Sequence, residues 1–306
     1  MSQKERTTLV LLAAGMGSRY GGVKQIDAVG PGGEAIIDYS IYDALRAGFT
    51  DLCFIVRAEI KDAVREFFSG KFPDHIGVTY AVQALDDLPE GFRVPDERAK
   101  PWGTAHAVFA ARHVVTTPFA VVNADDFYGQ ESYAQLHTCL VSLDPDATDY
   151  AMVGFRLGET LSLHGTVSRG ICSSNADGFL ERIVEHKKIE QFGDRIFNVW
   201  DDGSTVDLPS DSIASMNMFG FTPSVFPLID TEFSRFLEQS GTEPKAEFYI
   251  PTLMTQLIDG GWARMRVLPT SSRWFGMTYR RDRESVQEQI RGYVECEEYP
   301  RKLWKN

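Results

Sequence analysis

The chain runs to 306 residues, enough to bury one large core or two modest ones. Its 43% hydrophobic and 24% charged content is that of an ordinary soluble globular protein. The net charge is −12 with no basic run, which argues against nucleic acid or an anionic membrane as the main partner.

The first apolar run, residues 9–14, has the length and flanks of a buried parallel strand, and is far too short for a membrane span or a signal peptide. It leads into Ala13, Ala14, Gly15 and Gly17, whose small side chains let backbone amides approach a ligand and form an anion-binding nest. Arg19 and Lys24 add two positive charges, which suits a polyphosphate better than one phosphate. A glycine-rich turn after a strand is also common with no ligand at all. Two familiar phosphate loops are excluded. The dinucleotide fingerprint needs a glycine where Tyr20 stands, a helix directly after it and an acidic residue closing the next strand. Here residues 21–33 read as loop, and the next strand is followed by Arg57. The P-loop pattern fails because Lys24 lies between Val23 and Gln25.

Ile37, Ile41, Ala44, Leu45 and Gly48 then recur at helical spacing. A strand over 52–56, an amphipathic helix over 59–68 stopped by Gly70, and a strand over 78–82 come next. A polar, proline-bearing loop covers 84–101, a helix opens near Thr104 and runs to His113, and a strand over 119–122 leads into Asn123-Ala124-Asp125-Asp126. This alternation predicts an α/β fold, a mostly parallel sheet with helices on both faces and ligands at the carboxyl ends of its strands. From about Tyr150 the pattern turns to strands, at 151–155, 166–171, 180–184, 196–199 and 213–221. Two helices near 223–238 and 246–258, a strand at 263–268 and a helix at 283–293 complete the chain. No repeat or linker divides it. Cys53, Cys139, Cys172 and Cys296 form no Cys-x-x-Cys pair, so reduced thiols and a cytoplasmic location are expected.

The chemistry lies in the combination. Asp125 and Asp126 follow an apolar strand, where carboxylates are well placed to hold Mg2+. An isolated Asp-Asp is more often a solvated turn; a phosphate-type loop on the same sheet edge favours the metal. Gly103 and Thr104 open a helix, where free amides can meet a base or ribose, and His106 beside them suits packing better than catalysis. His75, His113, His137, His164 and His186 show no ligand spacing.

Three segments in this order, LLAAGMGSRYGGVK, KPWGTAHAV and VVNADDFYG, resemble the sugar-phosphate nucleotidyltransferases of the GT-A-like nucleotidyltransferase fold. The resemblance implies a Rossmann-like sheet flanked by helices, with a more β-rich sugar-binding second half. It also implies a single nucleotidyltransferase domain, its nucleotide-binding half about 1–150 and its sugar-phosphate half about 151–306. The family's Gly-x-Gly-x-Arg loop and downstream lysine match Gly15, Gly17, Arg19 and Lys24. Gln83, Gly103 and Thr104 would fill its base-binding element, and Asp125 its metal aspartate, with Asp126 as a second candidate ligand. Further on, Glu185 and Lys187 resemble the pair near the sugar phosphate, Asn217 a sugar-site residue, and Glu247 the acidic residue that opens a sugar-facing helix.

The activity this resemblance implies is a Mg2+-dependent condensation of an NTP with a sugar 1-phosphate, giving NDP-sugar and pyrophosphate. Arg19, Lys24 and Asp125 would be the catalytic residues. Gln83 favours a pyrimidine, because one amide can both donate to and accept from a uracil or thymine edge. Assembly into a homo-oligomer is compatible with this reading. Two departures stand out. The excursion between Gln83 and Gly103 is longer than in many members, as a lid over the nucleotide would be. The family's late metal aspartate falls on Gly276 in Trp274-Phe275-Gly276. That glycine keeps open a second reading, a non-catalytic nucleotide-sugar sensor or regulatory subunit.

Overall fold

The computed structural model describes residues 6–15, 27–162, 165–277 and 282–304. Gly17, Arg19 and Lys24 therefore lie outside the described residues. The first half is built as the alternation predicts. Strands β1 (Thr8–Leu12), β2 (Asp51–Val56), β3 (Gly77–Val82) and β4 (Phe119–Asn123) pair in parallel in the order β3-β2-β1-β4. Side chains alternate across this sheet, so both faces are apolar. Leu9, Leu11, Phe54 and Val122 pack under α1 (Ile36–Ala47) and α4 (Gln130–Ser142). Val10, Ile55 and Val121 pack under α3 (Thr104–Phe109), α5 (Val225–Ser240) and α6 (Ile250–Asp259). Helix α2 (Lys61–Phe68) joins β2 to β3.

The second half widens the same sheet. Strands β6 (Asp149–Arg156), β7 (Val167–Ser174), β8 (Leu180–Phe192), β9 (Arg195–Val199) and β10 (Thr205–Asp207) precede β11 (Ile213–Phe221). Strand β11 bridges the halves: Ile213–Ser215 pair with β7, whereas Phe219–Phe221 pair with β4, all antiparallel. Beyond β7 the wing runs β8-β9-β10, and β6 joins β11 to β12 (Arg264–Pro269). A separate pair, β5 (Asp126–Phe127) against β13 (Phe275–Gly276), stacks the Phe127 and Phe275 rings 4.4 Å apart. Helix α7 (Asp282–Glu295) closes over that pair through Val286 and Ile290.

Helix α1 starts where the Ala35 N–H donates to Asp38 Oδ2 at 2.8 Å, and stops at Gly48, whose φ of 113° is glycine's to adopt. Its buried Asp43 accepts a hydrogen bond from the Tyr299 hydroxyl at 2.6 Å. Burial pushes the Asp43 carboxyl up from 3.8 to about 7; the Tyr299 hydrogen bond and Arg46 oppose this, and Glu298 adds to it. The folded state thus holds a proton that the unfolded chain releases, so stability falls as pH rises from about 4 through about 7. The full loss is of order 4 kcal/mol. In Asp43→Asn this fall is expected to disappear. Urea midpoints at acid and alkaline pH check it, and equal pH slopes in both proteins would mean that Asp43 is ionised in the fold.

Candidate active site

The carboxyl ends of β1, β3 and β4 form one rim. Ala13 and Ala14 are buried there, but the Ala13 amide is used within the sheet, donating to the Ile55 carbonyl at 2.9 Å. Ala13 therefore supplies room rather than a phosphate donor, which corrects that part of the expected nest. Gly15 is exposed just beyond it.

Beside this rim, a cavity of about 700 Å3 opens between the two halves of the sheet. Asp125 and Asp126 line it together, Asp125 from the turn after β4 and Asp126 as the first residue of β5. Asp125 is half-buried, and its carbonyl accepts the Met277 N–H at 2.9 Å. The Asp126 side chain is buried and held by the Asn123 amide, Nδ2 to Oδ2 at 2.8 Å. Across the short pair, Gly276 stands in register with Asp126. A Cβ at 276 would collide with Asp126 Oδ1 and would lie 3.1 Å from the Trp274 ring. The residue that the sequence reads as a missing carboxylate is thus the space in which Asp126 sits. Two adjacent hard oxygen donors fit a Mg2+-sized cation, which commonly takes one or two carboxylates and fills its shell with phosphate oxygens and water. Among the described residues no group of three or more His, Cys, Asp or Glu forms a closed protein cage.

The far wall comes from β7, β8 and β11. Between Ser215 and Phe219 the register of β11 shifts, and Asn217 takes φ 59° at the bulge, facing the cavity. Asparagine tolerates this left-handed conformation better than most residues. Tyr128 ties the bulge to the aspartates: its buried hydroxyl accepts the Asn123 N–H at 3.0 Å and donates to the Met216 carbonyl at 3.1 Å. Burial and neighbouring Asp126 push that phenol's ionisation far up, so it remains a neutral strut. Asn217→Gly is expected to keep the fold while weakening whatever the amide holds. Asn217→Ala should cost about 1 kcal/mol more in stability from the same strain. Thermal unfolding of both variants tests this, and equal stabilities would remove strain from the account.

Glu185 lines the cavity and accepts a hydrogen bond from Ser168 Oγ. Lys187, two residues along β8, is exposed and is not among the residues lining the cavity. Glu247 does not line it either. The Lys100 ammonium reaches Glu247 Oε2 at 2.5 Å and the Tyr249 hydroxyl donates to the same oxygen, while Tyr249 itself faces the cavity. Arg169, unremarked in the sequence, is the cation of this wall. Its guanidinium lies 4.7 Å over the Trp274 ring, and Nε donates to Thr160 Oγ1 at 3.2 Å. Burial lowers its ionisation to about 10, against Asp126 and Glu185, so it stays charged at neutral pH. A lone arginine flanked by strand residues was the available signal.

Gln83 follows β3 and, like Gly103, is not among the residues lining the cavity; its amide Nε2 reaches the Gly103 carbonyl at 3.0 Å and His106 Nδ1 at 3.2 Å. Gly103, at φ 110°, fits tightly against the Phe248 backbone. The next amide but one, Ala105, donates to the Phe248 carbonyl at 3.0 Å, and Thr104 Oγ1 accepts the Ile250 N–H at 3.1 Å. Of the helix opening, the Ala105 amide is thus committed to the fold, while Thr104 also lines the cavity. The 84–101 excursion is tied to its surroundings through Arg98 and Leu85. Arg98 lies 3.3 Å over the Trp102 ring and donates to the Glu243 carbonyl at 3.0 Å. The Trp102 indole donates to the Leu85 carbonyl at 2.9 Å.

Known proteins share this fold at low sequence identity. No curated protein matches the sequence significantly. Among solved structures, the chain is similar to the inositol-1-phosphate CTP transferase from T. maritima, at 12% identity and TM-score 0.62, over 95% of this chain and 97% of that one. It is also similar to a putative glucose-1-phosphate thymidylyltransferase from Bacillus anthracis, at 14% identity and TM-score 0.58, over 93% and 95% of the two chains. A UDP-glucose pyrophosphorylase complexed with UDP-glucose aligns at 12% identity and TM-score 0.60, over 95% and 99%. These likenesses are of fold. The family model described as nucleotidyl transferase matches residues 9–242, most of the chain, and the protein belongs to that family.

Proposed function

We propose that this nucleotidyl transferase joins an NTP to a sugar 1-phosphate, releasing pyrophosphate, as one catalytic unit. The observation that carries the reading is the cavity in which Asp125 and Asp126 face Glu185, Arg169 and Asn217 across the junction of the two half-sheets. A site with paired carboxylates on one side and hydrogen-bonding groups on the other suits an anionic nucleotide that meets a hydroxyl-rich partner.

The nucleophile is a phosphate oxygen of the sugar 1-phosphate, already anionic, so no general base is required. A bond forms from that oxygen to the α-phosphorus of the NTP, the bond from the α-phosphorus to the bridging oxygen breaks, and pyrophosphate leaves with the electron pair. Catalysis then rests on alignment and charge neutralisation. Asp125 and Asp126 would hold Mg2+, which when bound neutralises charge on the phosphate oxygens. From the sequence resemblance, Arg19 is assigned the β- and γ-phosphates and Lys24 the α-phosphate and the incoming phosphate. Glu185 and Asn217 would orient the sugar. Lys187 is assigned the sugar phosphate by resemblance alone, and its exposed position makes Arg169 the better supported cation on that wall. Gln83, Gly103 and Thr104 would receive the base and ribose.

The test is pyrophosphate release from a panel of sugar 1-phosphates crossed with the common NTPs, with Mg2+. Release confined to one pair is expected and would name both substrates. Silence across the panel with NTP binding intact would favour a nucleotide-sugar sensor instead.

A further inference from the structure

Helix α1 buries three short polar side chains, Asp38, Ser40 and Asp43, and two of them serve the fold around the helix. Asp38 receives the Ala35 N–H at 2.8 Å, the Lys71 ammonium at 3.2 Å and the Trp304 indole N–H at 2.8 Å. Asp43 receives the Tyr299 hydroxyl. Ser40 does something else. A mid-helix serine often turns its hydroxyl back onto the carbonyl four residues earlier in its own helix. Ser40 Oγ instead lies 3.1 Å from the carbonyl of Asp126, 86 residues away. A carbonyl oxygen only accepts, so Ser40 is the donor.

The register of the β5–β13 pair explains why that carbonyl needs a partner from α1. In an antiparallel pair, opposed residues alternate between exchanging backbone hydrogen bonds and exchanging none. The Met277 N–H donates to the Asp125 carbonyl at 2.9 Å, so Asp125 and Met277 form a bonded pair. Asp126 and Gly276, next in register, are then a non-bonded pair with their backbone groups turned away from each other. Pairs of this kind are also the closer spaced, which suits the tight fit of Asp126 against Gly276. Strand β13 therefore leaves the Asp126 carbonyl unheld, and Asn123 grips only the carboxylate, Nδ2 to Oδ2 at 2.8 Å. Ser40 takes the main-chain end.

We infer that Ser40 is a positioning residue for the cation site, gripping Asp126 by its backbone carbonyl so that its carboxylate stands beside Asp125. This rests on the proposed placement of Mg2+ at the two aspartates. The hydroxyl touches neither cation nor substrate and acts only through Asp126. Its loss frees the carbonyl end of a residue whose carboxylate must keep a fixed place, and the cation affinity falls with it.

Mn2+ binding to the whole protein, read by electron paramagnetic resonance, tests it. Ser40→Ala spares the helix, since alanine is the better helix former. It should weaken Mn2+ about tenfold, the scale of losing an outer partner of a metal ligand. The Mg2+ concentration that half-saturates pyrophosphate release should rise by a similar factor, with kcat at saturating Mg2+ within about twofold of wild type. Ile41→Val, a core change on the same helix that spares the hydroxyl, should lower the melting temperature yet leave Mn2+ affinity unchanged. A folded Ser40→Ala with wild-type Mn2+ affinity, or an equal loss of affinity in Ile41→Val, would overturn the inference. Should Ser40→Ala not fold, Ser40→Cys takes its place, near in size and a weak donor, and wild-type affinity there overturns it equally. Those results leave the proposed function standing. Should Asp125→Asn bind Mn2+ as wild type does, the proposed metal placement fails, and this inference with it.

Discussion

Asp125→Asn is expected to lower pyrophosphate release by about a hundred- to a thousandfold while shifting the melting temperature little. The substitution removes a charge but keeps the size, and the side chain stands on the cavity wall rather than in the core. The backbone hydrogen bond from Met277 N–H to the 125 carbonyl does not depend on the side chain. Replacing a carboxylate by a neutral amide weakens a hard-cation site directly, so Mn2+ affinity, read by electron paramagnetic resonance, should fall alongside turnover. A variant with unchanged cation affinity and unchanged rate would move the metal away from this turn.

The second large effect runs against the family pattern. Gly276→Asp restores the carboxylate that the resemblance places there, and on that ground activity should rise. The geometry predicts the reverse, a loss of about tenfold or more together with about 1–3 kcal/mol of stability, since overpacking is destabilising. A Cβ at 276 collides with Asp126 Oδ1, with the Trp274 ring 3.1 Å away. The buried Asp126 is held on its other side by Asn123 and has little room to yield. Gly276→Ala should show the same penalty without any new charge. The double variant Asp126→Ala with Gly276→Asp moves the carboxylate across the β5–β13 pair, and should recover part of what Gly276→Asp loses. Neighbours in contact couple in this way. Gly276→Asp with raised turnover would show that Asp126 is dispensable and that the late carboxylate was missing after all.

Where apolar residues alternate or recur at regular spacing, the chain could be read directly. The buried strands β1, β2 and β4, the bridging strand over 213–221 and helix α1 all lie where their patterns place them. Helix α4 escaped because its buried side is sparse: Tyr133, Leu136 and Leu140 are joined there by the polar Ser132. Strands β5 and β13 are two residues each, below any periodic signal, and exist because Phe127 and Phe275 stack. The site was legible as a set of residue types but not as a set of bonds. Nothing in the sequence says that the Gln83 amide is engaged by His106, that Lys100 draws Glu247 aside, or that Gly276 fits Asp126. Each depends on segments brought together from 20 or more residues apart.

The bridging role of β11 has an evolutionary corollary. One face of the cavity is anchored to β4 by a backbone ladder through Phe219–Phe221, and the other to β7 through Ile213–Ser215. The two walls are therefore spaced by one continuous strand rather than by a linker. The β7–β10 wing follows β6 and precedes β11 in the chain, whereas the aspartates precede β6, so the two walls of the cavity come from separate stretches of sequence. On the proposed placement of the sugar, exchanging the β7–β10 stretch would replace Arg169 and Glu185 but leave Asn217 of β11 in place, so only part of the sugar wall can drift in descendants of this chain while the aspartates stay unchanged.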